Sequence, residues 1–342
     1  PYHSWMVAKG DEQWPNYFSE AEARTILEPY LQGFAISPTD MRLTRPLASE
    51  EHIYGLGERT GSMDKRGQAF PVWNIDPHKG HDENTVTMYT SIPFYLGLTV
   101  DDGRAYGVLI DHTGRVEMDI GKTNEAEVSM TVQGDSLIAY FFAGPTPADV
   151  MRQYTELTGR MPLPPRWVIG YHQCRWGYMN EQEVQQVATE MRKRNHPCDA
   201  IWLDIDYMNG YRDFTWDAER FPRPEQLTEY LHAQGMRLVT IIDPGVKIDE
   251  NYFVYHQGME EDYFCRYKDE DLFEGNVWPG ACVFPDFSES RVRTWWGNLY
   301  QGLLDQGVEG VWNDMNEPAL TNIMIVDEPV PILESNTMPD NV

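Results

Sequence analysis

Residues 310–318 read Gly-Val-Trp-Asn-Asp-Met-Asn-Glu-Pro. The apolar residues from Val308 to Trp312 predict a short buried strand. This strand runs directly into Asp314 and Glu317, with two carboxamides and a proline beside them. Because an unpaired buried charge is costly, so much polarity at a strand end indicates a functional site. We interpret Asp314 as a catalytic carboxylate at the C-terminal end of a barrel strand.

The second half of the sequence predicts alternating strands and helices. The predicted strands are 167–172, 200–204, 237–243 and 308–313, and the predicted helices are 180–195, 225–234 and 288–306. Asn180 and Glu183 predict the N-terminal cap of the first helix, while Gly235 and Gly307 predict the ends of the other two. Such alternation implies a parallel sheet with right-handed crossovers. Polar residues at successive strand ends are typical of a (β/α)8 barrel site.

Four predicted strands make residues 161–342 the first half of a catalytic (β/α)8 TIM barrel. The segment 245–282, after the third strand, is too long for a plain loop and predicts an inserted subdomain. Residues 319–342 contain three prolines and no clear periodicity. We expect this tail to be an insertion or a flexible end.

Residues 1–160 predict an N-terminal β-sandwich domain. Alternating apolar runs occur at 35–41, 94–100, 107–111, 115–120, 127–132 and 136–142, with turn-forming residues between them. A helix is predicted at 148–158, capped near Thr146, and the prolines at 162, 164 and 165 suggest the domain boundary near residue 160. The segment 20–30 is compatible with either a strand or a short helix.

Composition excludes several classes of partner. The chain has 342 residues and a net charge of −27, which argues against binding to a phosphate backbone. It has no run of about 18 apolar residues, so no membrane span is expected. The four cysteines form no CxxC pair and no cluster with histidines, so neither disulfides nor a metal is expected. No signal peptide is visible and no glycine-rich phosphate turn occurs. A cytoplasmic protein without a cofactor is therefore favoured.

Further acidic and aromatic residues accompany Asp314. Strand alternation predicts that Asp204 and Asp206 point the same way. Such a pair could accept hydrogen bonds from adjacent hydroxyls of a polyol, bind calcium or serve as a cap. Trp176 and Trp278 could stack on a sugar ring or pack in a core. Asp76 lies in a polar loop of the β domain that could reach the other domain.

Together these motifs resemble glycoside hydrolase family 31, the α-glucosidase family. Trp312-Asn313-Asp314-Met315-Asn316-Glu317 is similar to the family's signature around its catalytic aspartate. The resemblance also covers segments 55–59, 73–76, 172–178, 204–208, 243–244 and 277–280, in the family's order. Gly55 and Gly57 in the first of these permit positive φ and a close approach of the backbone.

The resemblance implies a role for each site residue. Asp314 would be the nucleophile, and Glu317 would support it without acting as the acid. Asp204 and Asp76 would hold sugar hydroxyls, with Asp76 supplied by the N-terminal domain. The remaining residues would line the pocket: Trp176, Ile205, Asp243, Trp278 and Met315.

The family's mechanism implies an exo-acting α-glucosidase that removes terminal α-linked glucose with retention, through a covalent glycosyl-enzyme. Retention needs two carboxyls roughly 5–5.5 Å apart. The acid/base of the family is an aspartate well downstream of the nucleophile, and residues 319–342 contain no match to it. We therefore expect a complementary C-terminal polypeptide as partner. The alternatives are another activity of the family (α-xylosidase, α-galactosidase, transglucosylase or lyase) and a non-catalytic carbohydrate-binding subunit.

Overall fold

The computed structural model of this chain describes residues 3–8, 33–36, 40–77, 81–85, 87–100, 103–134, 136–268 and 270–320. The chain divides into two compact units, Pro1–Met161 and Pro162–Val342. The sequence expectations for residues 20–30 and for the tail beyond residue 320 lie outside the described residues. No helix in the described part is long and apolar enough to cross a membrane.

The N-terminal unit consists of two five-stranded antiparallel sheets. The first has the order β1-β10-β7-β6-β4, with strands β1 His3–Ala8, β4 Glu51–Gly57, β6 Ser91–Thr99, β7 Ala105–Asp111 and β10 Ser136–Phe142. The second has the order β2-β3-β9-β8-β5, with strands β2 Gly33–Ile36, β3 Asp40–Pro46, β5 Gln68–Val72, β8 Val116–Ile120 and β9 Glu127–Gln133. Buried side chains from both sheets form one hydrophobic cluster, so the unit is a β-sandwich.

Alternation along the strands explains this core. In β8 the residues Val116, Met118 and Ile120 are buried, while the two between them face outward. Helix α1, Pro147–Thr158, packs against the outer face of the first sheet. As predicted, Thr146 caps this helix, since its Oγ1 accepts the backbone N–H of Asp149 at 3.2 Å.

Some strand predictions for this unit were wrong. Residues 35–41, predicted as one strand, are divided between β2 and β3, and β1, β4 and β5 were missed. All three missed strands lie at a sheet edge. There β5 tolerates Pro71, and β4 tolerates a bulge between Gly55 and Gly57. These glycines have φ of +115° and +81°, and a Cβ on Gly57 would lie 2.3 Å from the Thr90 carbonyl oxygen, as expected for a close backbone approach.

The second unit is built on a four-stranded parallel sheet with its strands in chain order. The strands are β11 His172–Gln173, β12 Ala200–Leu203, β13 Arg237–Ile242 and β17 Gly310–Asn313. The helices between them are α2 Glu181–Lys193, α3 Pro224–Ala233, α5 Ser290–Leu299 and α6 Gln301–Asp305. The expected strand–helix alternation is thus present, and in the described residues the sheet is open at β11 and at β17.

The structure corrects three predicted elements of this unit. The strand predicted at 167–172 is largely a 3-10 helix, Arg166–Ile169, because its backbone N–H groups bond locally after Pro165. The helix predicted at 288–306 is interrupted at Tyr300. The strand predicted at 200–204 is one residue shorter than expected. Strand β12 stops at Leu203, and residues Ile205–Tyr207 form a 3-10 turn. Strand alternation therefore does not apply to Asp204 and Asp206.

A small antiparallel sheet lies between β13 and α5. Its order is β14-β16-β15, with β14 Val246–Lys247, β15 Glu274–Val277 and β16 Gly280–Val283, and helix α4 Phe253–Glu260 lies between β14 and β15. It has its own apolar cluster, which includes Phe273, Val277 and Phe284. The four cysteines of the chain are all described, and each is a free thiol.

Candidate active site

Three aspartates follow immediately after three adjacent parallel strands. Asp204 follows β12, Asp243 follows β13 and Asp314 follows β17. Parallel strands end at the same edge of a sheet, so the three carboxyls are brought to one place. The backbone N–H of Asp314 donates to the carbonyl oxygen of Ile242 at 3.3 Å. The hydrogen bonding between β13 and β17 therefore extends as far as Asp314.

The Asp314 carboxylate is held by its own backbone turn. Its Oδ1 accepts the N–H of Met315 at 2.9 Å, and Met315 has a left-handed φ of 59°. The Met315 side chain packs against the apolar cluster of the small sheet. Left-handed backbone is strained for a residue with a side chain, so this conformation must be enforced by the surrounding contacts.

Asp243 is the most perturbed acid at the strand ends. It is 7% exposed, and its buried Oδ1 has no hydrogen-bond partner. Burial first, and then the carboxylates of Asp314, Asp204 and Glu317, raise the pKa of Asp243 to about 8. At neutral pH its carboxyl therefore carries a proton and can donate a hydrogen bond.

Asp204 is half-buried and caps the turn that follows β12. Its Oδ1 accepts the N–H of Ile205 at 2.7 Å. Burial raises the pKa of Asp204; the Ile205 N–H opposes this rise, and the carboxylates of Asp314 and Asp206 add to it. In the described part of the chain, none of Asp204, Asp243 and Asp314 forms an ion pair. The site is therefore an acidic cluster without a cation of its own.

Asp206 does not share the environment of Asp204, contrary to the prediction that the two would point the same way, although it is close enough to raise the pKa of Asp204. It is buried against Gly177, where a Cβ would lie 1.9 Å from its Oδ2. Its neighbours are Arg220, at 4.0 Å, and the hydroxyl of Tyr211. Asp206 thus contacts the loop after β11, whereas Asp204 is the more exposed carboxylate of the two.

Two tryptophans from different loops meet beside the strand ends. The rings of Trp176 and Trp278 have centroids 5.4 Å apart and planes inclined by 42°. Trp176 follows β11 and is 62% exposed, whereas Trp278 lies in the turn between β15 and β16 and packs partly against the core. An exposed aromatic face next to an acidic cluster is suited to the apolar face of a sugar ring.

The other predicted site residues differ in how far their side chains are exposed to solvent. Ile205 is 2% exposed and packs in the core of the second unit, so its place in a pocket wall stays a prediction. Glu317 is half-buried and close enough to Asp243 to raise its pKa. Asp76 belongs to the N-terminal unit, in the loop between β5 and β6, and is half-buried there. Its contribution to the site also stays a prediction.

His172, which the sequence places among the polar strand-end residues, is part of an aromatic layer inside the sheet. Its Nδ1 accepts the indole N–H of Trp202 at 3.1 Å, and its Nε2 lies 3.0 Å from the carbonyl oxygen of Trp167. Since an indole N–H can only donate, Nδ1 is unprotonated and Nε2 carries the hydrogen. The Trp202 ring also contacts Trp312 of β17, with centroids 5.6 Å apart. His172 is therefore a structural residue that joins Trp167 to Trp202.

Sequence reasoning missed Asp213, which lies behind the strand ends. Its Oδ1 accepts the backbone N–H of Asp243 at 3.1 Å. Its one sequence signal was an acid between Arg212 and the aromatic Phe214, in a stretch without helix or strand periodicity. Among the described residues, no group of three or more His, Cys, Asp and Glu side chains is arranged to hold a metal ion.

Comparison with known protein families shows to which family this chain belongs. Residues 161–337 match the glycosyl hydrolases family 31 TIM-barrel domain, and residues 14–119 match the glycosyl hydrolase 31 N-terminal galactose mutarotase-like domain. The chain belongs to glycoside hydrolase family 31. Its second unit is therefore the start of the family 31 TIM-barrel domain, and its first unit is the N-terminal domain that accompanies it.

Individual family 31 proteins resemble the chain over most of its length. Alpha-glucosidase 2 from Bacillus thermoamyloliquefaciens is 47% identical over 272 residues, which cover 80% of this chain and 34% of that protein. The solved structure of a family 31 alpha-glucosidase from Bacteroides thetaiotaomicron has a TM-score of 0.72 and 38% identity, and the match covers 82% of this chain and 47% of that one.

A family 31 dextranase from Flavobacterium johnsoniae, solved in complex with glucose, has a TM-score of 0.77 and 30% identity. That match covers 85% of this chain and 35% of the dextranase. The chain spans about a third of the length of the first relatives it matches. What those complete proteins do is thus carried to this chain only as a proposal.

Proposed function

We propose that this chain is the N-terminal part of a retaining, exo-acting α-glucosidase that removes terminal α-linked glucose from oligosaccharides. The observation that carries the proposal is the cluster of Asp204, Asp243 and Asp314 at three adjacent strand ends, without a cation, in a family 31 chain. Carboxyl oxygens that form no ion pair can be satisfied by sugar hydroxyls, through hydrogen bonds that are stronger than neutral ones.

In this mechanism Asp314 attacks the anomeric carbon. Because Oδ1 accepts the Met315 N–H, Oδ2 forms the new C–O bond as the bond to the leaving-group oxygen breaks. An aspartate outside this chain gives that oxygen its proton. The same aspartate then takes a proton from water, whose oxygen attacks the anomeric carbon and releases Asp314. Two inversions of configuration yield net retention.

Asp204 and Asp243 divide the binding of hydroxyls between them. The partly exposed Asp204 carboxylate accepts hydrogen bonds from the sugar. Asp243, which burial and its acidic neighbours keep protonated near neutral pH, donates one. The aromatic pair of Trp176 and Trp278 covers the apolar face of the sugar or of its leaving group.

The proposed barrel needs further strands from a complementary C-terminal segment, with residues 245–282 as an insertion after its third strand. Two observations support this idea. Among the described residues, strands β11 and β17 each pair with a neighbouring strand on one side only. Ile169, beside β11, is 78% exposed, and Leu163 is more exposed still. Unpaired strand edges and exposed apolar side chains favour association with another segment. The interface with the C-terminal segment should therefore be large and apolar, like a domain core divided in two.

The decisive experiment is to produce residues 1–342 alone and together with the rest of the enzyme. We expect the complete protein to hydrolyse p-nitrophenyl α-glucoside and the fragment alone to be inactive, because it lacks the acid/base aspartate. Size and solubility of both should be measured in parallel. Hydrolysis of the α-xyloside or α-galactoside in place of the glucoside would assign another activity of the family. Sugar binding without hydrolysis by the complete protein would indicate a carbohydrate-binding subunit.

A second prediction concerns Asp76. Replacement by alanine in the complete enzyme should lower kcat/KM about tenfold or more, which is the usual loss when one charge-assisted hydrogen bond to a substrate is removed. Glu83→Ala, at an exposed acid of the same loop, is the matched control and should behave as wild type. A fall in the melting temperature of Asp76→Ala at unchanged kcat/KM would contradict the proposed reach of this loop.

A further inference from the structure

Asp213 is a buried acid that forms no ion pair with any residue the structure describes. It lies between β12 and α3 and is 1% exposed. Its Oδ2 is buried without a hydrogen-bond partner. Burial first, and then the neighbouring carboxyl of Asp243, raise the pKa of Asp213 well above its usual range. A leucine of nearly the same shape would be less costly to bury.

The loop around Asp213 is held rigidly in a strained conformation. Tyr211 and Phe214 both have left-handed φ, of 59° and 60°. The hydroxyl of Tyr252 donates to the Asp213 carbonyl oxygen at 2.9 Å. Arg212 next to it donates to Asp249 through Nε at 3.0 Å. Strain of this kind persists only where surrounding contacts enforce it, and it concentrates at functional sites.

Within the described part of the chain, the Asp213 side chain makes one hydrogen bond to another residue, and that residue is Asp243. Strand β13 ends at Ile242, and the pair Ile242–Asn313 is the last one between β13 and β17. The N–H of Asp243 lies beyond this pairing. Asp213 Oδ1 accepts it at 3.1 Å. A buried N–H needs an acceptor, and this one determines how the backbone of Asp243 turns at the strand end.

We propose that Asp213 is a positioning residue, which fixes the backbone of Asp243 so that its carboxyl stays directed toward the sugar. The inference rests on the proposed α-glucosidase function and adds a residue to that site. Asp213 acts through its acceptor oxygen and not through a charge. It touches no substrate, and its entire effect on the reaction passes through Asp243.

Two variants of nearly equal shape separate the acceptor from the charge. In the complete enzyme, Asp213→Asn keeps an acceptor for the Asp243 N–H and should retain kcat/KM close to the wild-type value. Asp213→Leu has the same branching without an acceptor, although its two methyl groups occupy more space than the two oxygens. It should lower kcat/KM by about 10- to 100-fold, as displacement of a site group by about 1 Å does. Its melting temperature should not fall in proportion, because an apolar side chain replaces a buried acid.

A double-mutant cycle tests whether the effect passes through Asp243. If Asp213 acts only on Asp243, then adding Asp213→Leu to Asp243→Ala should cost almost nothing further in kcat/KM. Tyr252→Phe is the matched structural control. It removes a buried hydrogen bond to the same residue without touching the acceptor, so it should lower stability and leave kcat/KM nearly unchanged.

Three results would overturn the inference while the wild-type enzyme remains active. These are full activity in Asp213→Leu, an undiminished loss when the substitution is made on Asp243→Ala, and inactivity in a folded Asp213→Asn. The asparagine variant decides alone if the leucine variant does not fold. An inactive wild-type enzyme would instead overturn the proposed function, and the inference would fall with it.

Discussion

Asp314→Ala in the complete enzyme is expected to lower kcat by several orders of magnitude. The substitution removes the oxygen that forms the bond to the anomeric carbon. Asp204 and Asp243 cannot replace it, because each follows a different strand and so approaches the sugar from a different position. The backbone should be little disturbed, since the N–H of residue 314 still bonds to the Ile242 carbonyl oxygen.

The same prediction can be tested by chemical means. A 5-fluoro glucosyl fluoride should label wild-type enzyme on the peptide that contains Asp314, and mass spectrometry of the digest locates the label. Azide should partly restore turnover of an activated substrate by Asp314→Ala and should give the β-glucosyl azide, because a single displacement inverts the configuration. Glu317→Gln is the control and should lose far less activity. A label on Glu317 would contradict the assignment of the nucleophile.

Asp204→Ala is expected to show the second-largest loss, about 2–4 kcal/mol in kcat/KM, which corresponds to two charge-assisted hydrogen bonds to the sugar. The loss should appear in kcat/KM measured with p-nitrophenyl α-glucoside. Wild-type kinetics would place Asp204 away from the substrate.

Stability separates this role from a structural one. The pKa of Asp204 is raised in the folded chain, so its ionisation at neutral pH costs folding free energy that is absent at a pH below its unfolded value. Alanine removes that cost together with the bond to the Ile205 N–H. The melting temperature of Asp204→Ala at pH 7 should therefore change little. A large fall would indicate that Asp204 mainly supports the fold.

Local patterns in the sequence were sufficient for much of the fold. Asn180 caps α2 as predicted, since its side chain accepts the Glu183 N–H at 2.9 Å, and Gly235 and Gly307 have the positive φ expected after a helix. The reciprocal bond of the capping box was wrong, because the Glu183 carboxylate accepts the N–H of Met179 and not that of Asn180. Caps and alternation depend on residues a few positions apart, which is why they are legible in a linear sequence.

The placement of Asp204, Asp243 and Asp314 at neighbouring strand ends also followed from the sequence, because each acid directly follows an apolar run. Their family 31 context was legible in the motifs themselves, above all in 312–317, and the family comparisons confirmed it. The role of each of these residues in binding or cleaving a sugar stays a prediction.

The tertiary structure alone decided the chemical state of the site. The pKa of Asp243 depends on burial and on acids far away in sequence, and the contact between Trp176 and Trp278 joins loops about a hundred residues apart. Asp206 has a different environment from Asp204 because β12 ends one residue before Asp204 and a 3-10 turn follows, which no propensity reveals. Asp213 was invisible because its partner is a backbone N–H thirty residues away. Sequence patterns determine which elements form; packing between distant elements determines which atoms meet, and therefore which protons and charges the site holds.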